Sequence, residues 1–203
     1  MIDNMEELQI DWNQERPTDS EVIRLWRELQ IRQLNNFSDG YEQLRKSIAE
    51  THVNGGIQFH KFQLTVNSHF NWFASRNRLD EISFITKILT HPKLETYRKN
   101  LLINSKPKFN RTGWSTDIFD LPSTLARTLN QGGAYNKLDS ATSWKVATEF
   151  VEQEFGNRFD EFEMFNIVVE NAEWFYDIAW DWSVMIYDKR KSELSLIDVT
   201  DTD

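Results

Sequence analysis

The sequence predicts an α+β fold: a mostly helical body of about six helices with a C-terminal three-stranded antiparallel sheet, in one domain over 1–203. Three patterns predict it. Apolar residues recur at helical spacing through most of the first 155 positions. Ile178, Trp180, Trp182, Val184 and Ile186 alternate strictly, as a half-buried strand does. Phe162–Val169 is nearly all apolar, as a buried central strand is.

Residues 1–18 read as an irregular lead-in ending at Pro17. Thr18, Asp19 or Ser20 caps the next helix, with Glu21 in its first turn. Val22, Leu25, Trp26, Leu29 and Leu34 then predict a helix over 19–36. Ser38-Asp39-Gly40 is a turn, and Tyr41, Leu44 and Ile48 mark a shorter helix to about 52. Asn54-Gly55-Gly56 breaks the chain.

The next stretch has two readings. Ile57/Phe59 and Phe62/Leu64/Val66 alternate, but the phase slips, so a strand there needs a bulge. Phe59, Phe62, Val66, Phe70 and Phe73 fit one helical face without a slip, so a helix over 57–75 is preferred. A helix from Leu79 ends near Pro92, and another runs from Leu94 to about 103. Residues 104–119, with Pro107 and Gly113, read as a long basic loop.

Asp120 caps a helix with Pro122 in its first turn, and Gly132-Gly133 ends it. Asp139 or Ser140 caps the clearest helix, whose apolar face is Trp144, Ala147, Val151 and Phe155 and whose stop is Gly156. Residues 188–192 are a polar turn before a third strand, Leu194–Val199. Three strands need helices over one face, so the chain is not divided into two domains.

Charge is sorted along the chain. Residues 1–53 carry net −5, residues 54–118 net +6 and residues 119–203 net −10, for a total of −9. That asymmetry speaks of partners and internal docking. Without Cys there are no disulfides, no Cys-ligated metal and no cysteine nucleophile. The acidic start has no apolar signal segment, and no run approaches the ~18 apolar residues of a membrane helix. The chain is therefore expected in the cytoplasm, away from membranes. Asn36-Phe37-Ser38 and Asn110-Arg111-Thr112 are chance glycosylation patterns in that setting.

No motif names a reaction. Gly-x-Ser-x-Gly, a Walker loop and Gly-x-Gly-x-x-Gly are all missing. His52, His60, His69 and His91 include no i,i+4 pair, so no metal site, cofactor or catalytic residue is expected. The sheet region concentrates Asp177, Asp181, Asp188 and Asp198 beside Trp180 and Trp182. Strand parity would place the two Trp on one face and Asp181 on the other. The end, Asp198 to Asp203, reads as a solvated acidic tail.

These features favour a protein-binding module, of the immunity or inhibitor type, presenting an acidic face to a basic partner protein. Asp177, Asp181, Asp188 and Asp198 would make that face, with Trp180 or Trp182 as anchors. Self-association is a further option. The alternative is a hydrolase of a small polar substrate using Asp/Glu, with His60 or His69. A third reading is single-stranded nucleic-acid binding through Lys93, Arg98, Lys99, Lys106, Lys108 and Arg111, interleaved with Tyr97, Phe109 and Trp114; the net charge of −9 opposes it. Trp buried under helices would favour an acidic solvent face. Trp and acid lining one cavity would favour the hydrolase.

Overall fold

A computed structural model describes residues 10–111 and 117–203, without the side chains of 104–107 and 109–111. Among the described residues it is α+β, with seven α-helices and six strands joined by five antiparallel pairings. The strands are β1 (Gln30–Leu34), β2 (Gly56–Thr65), β3 (Ile103–Arg111), β4 (Phe162–Ala172), β5 (Trp182–Asp188) and β6 (Glu193–Thr200). They lie in the order β1-β2-β6-β5-β4-β3. The C-terminal meander β4-β5-β6 is thus present, but extended by three strands from the first 111 residues.

Helices cover both faces. On one side lie α1 (Asp19–Glu28), α3 (Ser68–Ser75), α4 (Phe84–Leu89) and α5 (Glu95–Asn100), over Phe62, Leu64, Phe165, Met185 and Leu196. On the other lie α2 (Asp39–Thr51), α6 (Asp120–Gln131) and α7 (Ser140–Phe155), over Phe59, Met164, Val184, Ile197 and Val199. No helix among the described residues is long and apolar enough to cross a membrane.

This double cover explains the largest correction. Residues 57–75 are not one helix but β2 followed by α3, which Asn67 caps through Phe70 N–H at 3.0 Å. The β2–β6 register runs from Gly56↔Thr200 to Gln63↔Glu193 without a bulge. The apparent phase slip arises because Phe59 packs on one face and Phe62 and Leu64 on the other. A strand buried on both faces owes its core no single parity.

Two other strands replace expected helix and loop. The helix predicted over 19–36 ends at Glu28, and Gln30–Leu34 pairs with β2, burying Ile31. The first half of the basic loop expected over 104–119 instead belongs to β3 (Ile103–Arg111), which pairs with β4. Residues 112–116 of that loop fall outside the described residues. Helix α1 carries the predicted cap: Thr18 and Glu21 form a capping box. Helix α7 buries Val146, Ala147, Phe150, Val151 and Phe155, whereas Trp144 is exposed.

The end of the chain is not a solvated tail. Asp198, Thr200 and Asp201 are all buried.

Candidate functional site

The β4–β5 ladder stops at Ile167↔Ser183. Beyond it, β4 continues against β3 as far as Ala172, while β5 stays with β6 through Trp182↔Val199. Residues 173–181 must loop between two diverging strands. The fork leaves a cleft of about 460 Å³, lined across the gap by Thr124, Arg127 and Thr128 of α6. Trp180, Asp181, Trp182 and His52 share its lining. The Trp182 indole N–H donates to Thr128 Oγ1 at 3.1 Å, which fixes the ring.

Asp181 is not an outward strand residue, because β5 begins only at Trp182. Its Oδ2 accepts from the N–H groups of Tyr176 (2.9 Å) and Ile178 (3.1 Å), and its Oδ1 accepts from Thr200 Oγ1. It therefore folds the loop and ties it to the end of β6. The intervening Asp177 is exposed and takes a left-handed φ of 58°, which Asp tolerates better than most residues.

Asp201 performs a similar task. Its two oxygens accept from Asn54 N–H at 2.9 Å and Ala134 N–H at 2.8 Å. Asn54 Nδ2 donates to Thr202 O at 2.7 Å, and Tyr176 Oη reaches Asn54 O at 3.4 Å. Three loops and the chain end are stitched into one surface. Val53, Tyr135 and Tyr176 stand exposed on it, Tyr135 at 65% and Tyr176 at 48%.

The glycine pairs sit where this stitching is tightest. A Cβ on Gly133 would meet Asp201 Oδ2 at 1.8 Å, and one on Gly55 would meet Thr200 O at 2.1 Å. Gly133→Ala is expected to cost about 1–3 kcal/mol, because the loop must move off the carboxylate that anchors it. Denaturant unfolding measures this; a change within about 0.5 kcal/mol of zero would mean that the loop is not fixed here.

His52, almost wholly buried, is one of the residues that line the cleft. Thr51 Oγ1 lies 3.1 Å from Ser47 O, to which it donates, and so accepts from His52 Nδ1 at 2.8 Å. Nε2 is then a bare lone pair, buried and without a partner among the described residues. Burial lowers the pKa of the ring and the Asp201 charge raises it; the net shift is downward, which keeps the ring neutral.

The remaining predicted residues lie elsewhere. Asp188 is buried, accepting from Arg158 Nη2 at 2.6 Å and from the N–H groups of Arg190 and Lys191 at 2.9 Å each. Asp198 is buried on the α5 side, accepting from Ser183 Oγ at 2.6 Å and Tyr97 Oη at 3.2 Å. Burial pushes its carboxyl up to about 7, against the pull of those two hydrogen bonds. The four aspartates therefore do not share an outward face: among them only Asp177 is exposed.

The basic set is dispersed too. Arg98 clamps the carbonyls of Leu89 and His91, Lys99 pairs with Glu95 at 2.8 Å, and Lys108 lies 3.8 Å from Glu170 on β4. Lys93 sits on a short 3-10 turn before α5. The side chains of Lys106 and Arg111 lie outside the described residues.

Sequence reasoning singled out Trp180, Asp181 and Trp182 but missed His52, Arg127, Tyr135, Tyr176 and Asp201. The signal that could have found this end was the pair of Gly-Gly breaks, which mark close backbone approaches as well as turns. Comparison with protein-family models and with curated proteins gives no match.

Proposed function

We propose that the chain is a cytosolic protein-binding module of the inhibitor type, and that it receives a basic partner protein at the stitched end of its sheet. One observation carries this reading. Tyr135 and Tyr176 are exposed on loops whose conformations Asp201 and Asp181 already hold. Tyrosine is, with Trp and Arg, one of the residues enriched among those that carry most of the binding energy at interfaces. Loops ordered in advance lose little entropy on binding. The cleft beside them, walled by Trp180 and Trp182, supplies a hole for one partner side chain. Asp177 on the same loop, and the net −10 of residues 119–203, favour a basic partner and fast, salt-sensitive encounter.

The test is affinity capture from the source lysate at low and high salt, with mass spectrometry of the retained protein. The unaltered chain is expected to hold one basic protein at low salt and less of it at high salt. Tyr135→Ala with Tyr176→Ala should weaken that complex by roughly a hundredfold, as two hot-spot losses would. Ile23→Ala, on α1 in the opposite helical layer, should leave it unchanged. Equal retention by the double variant would remove this surface from the account.

A second reading has one observation in its favour. Trp and acid line one cavity together with His52, whose buried Nε2 has no partner among the described residues. A hydrolase of a small polar substrate would use that nitrogen as general base. A substrate screen with His52→Gln as the control separates this from partner binding.

A further inference from the structure

Strand β1 covers only half of the outer edge of β2. Its residues pair with Lys61–Thr65, and the chain leaves the sheet after Leu34. Among the described residues, no strand pairs with the outer side of Gly56–His60. The register identifies which groups this leaves free. Leu64 N–H donates to Ser192 O, so in this register even-numbered residues of β2 face β6. Antiparallel ladders alternate, so Ile57 and Phe59 turn their N–H and C=O groups the other way, along the line that β1 abandons. Gly56–His60 contains no Pro and no Lys, Arg, Asp or Glu, the usual guards of an edge.

A groove of about 350 Å³ runs along this edge, between Tyr41 of α2 and Asn100 of α5. Its two walls differ. Ile57 and Phe59 lie on the α2 side, where the Phe59 and Tyr41 rings are 5.0 Å apart. Gln58 and His60 lie on the α5 side. Gln58 Nε2 donates to Asn100 O at 3.0 Å, and Asn100 Nδ2 donates to His60 Nε2 at 2.9 Å. The second bond places the lone pair on Nε2 and the proton on Nδ1. That Nδ1–H, on a ring 95% buried, has no acceptor among the described residues, and Gln58 Oε1 has no donor. One unmet donor and one unmet acceptor thus sit two residues apart on the same side of a free strand edge. Leaving such groups buried and unmet is costly.

We propose that this edge is a docking site for an extended polypeptide segment of a partner protein, which adds a strand to β2 in the place that β1 vacates. The segment runs antiparallel to β2 over about five residues and pairs its main chain with Ile57 and Phe59. The pleat sets its side chains. Those falling on the α2 side are apolar and meet Ile57, Phe59 and Tyr41. Those falling on the α5 side are polar, and a carboxamide of Asn or Gln meets both the donor of His60 and the acceptor of Gln58. This inference does not rest on the partner reading of the stitched loops.

The test selects short random peptides displayed on phage against the full chain, then measures affinity and backbone amide exchange with the enriched peptides. Expected are peptides of alternating apolar and polar residues that slow exchange at Ile57 and Phe59. Ile57→Pro removes one outward N–H and leaves every β6 pairing in place, so it should weaken them at least about tenfold. Tyr176→Ala should leave them unchanged, which separates this site from the stitched loops. If Ile57→Pro does not fold, exchange at Ile57 and Phe59 in the unaltered chain decides. No enriched peptide, unprotected amides at 57 and 59, or equal affinity for folded Ile57→Pro would overturn the proposal. So would a concentration-dependent dimer that Ile57→Pro abolishes, because the edge would then belong to a second copy.

Discussion

Glu154→Ala is expected to destabilise the protein by about 3–5 kcal/mol. Lys61 comes from β2 and its ammonium lies between the sheet and α7. The Lys61 Nζ sits 2.9 Å from Glu154 Oε2 and 3.2 Å from Asn36 O. The two side chains are only 9% and 3% exposed. Glu154 Oε1 also accepts Ser38 N–H at 2.7 Å, at the start of α2. Removing the carboxylate leaves a cation in the interior with one carbonyl for company, and an N–H with no acceptor. The loss should exceed that of any surface pair, whose typical worth is about 0–1 kcal/mol. Lys61→Met with Glu154→Leu should recover most of it, because neither charge is then buried. Denaturant unfolding of the single and double variants measures both. A single-variant loss under about 1 kcal/mol would mean that water reaches Lys61.

The second large effect is a pair of opposed pH dependences on the α5 side of the sheet. Asp198 has its pKa pushed up to about 7 by burial, and His60 has its pKa pushed down to about 4 by burial. The Tyr97 ring contacts His60 edge-on at 5.2 Å while its hydroxyl donates to Asp198. An unfolded Asp titrates near 3.9 and an unfolded His near 6.5. From about pH 4 to 7 the folded chain keeps a proton on Asp198 that the unfolded chain has released. Stability therefore falls as pH rises through that window. From about pH 6.5 down to 4 the unfolded chain takes a proton on His60 that the folded chain refuses. Stability therefore falls as pH drops through that window.

The two windows overlap and their slopes have opposite sign, so in the unaltered chain they largely cancel. Single variants uncover each. Asp198→Asn should show stability rising from pH 4 to 6.5, relative to the unaltered chain, by an amount that reaches about 4 kcal/mol by pH 7. His60→Gln should show the reverse relative slope, worth about 3 kcal/mol between pH 4 and 6.5. Unfolding free energies from pH 4 to 8 for the three proteins provide the comparison. Parallel curves would contradict it.

Local signals were legible in this sequence, and pairing was not. Asp139 and Gly156 bracket α7, and Thr18 with Glu21 opens α1, because caps act within a few residues. The meander β4-β5-β6 was legible because its strands are consecutive. Strands β1 and β3 were not, since each is fixed by a distant partner: Ile31 by Leu64, and Phe109 by Val169. Strand β2 misled for the opposite reason, since cover on both faces erases the alternation that marks a strand. Trp144 misled as well, because helical spacing does not say which aromatic stays in water. At the site, Trp180, Asp181 and Trp182 stood out by their composition. Asp201 did not, although it holds the surface together, because a carboxylate near a chain end looks the same whether solvated or buried.

The most direct test of the central claim is site-specific photo-crosslinking in living cells of the source organism. A photoreactive side chain is placed at Tyr176 in one strain and at Ile23 in another. Binding at the stitched end predicts one cross-linked band, containing a single basic protein, from position 176 and none from position 23. The same partner captured from position 23 with nothing from position 176 would contradict it, and so would no cross-link at 176 under conditions in which the complex is retained on capture.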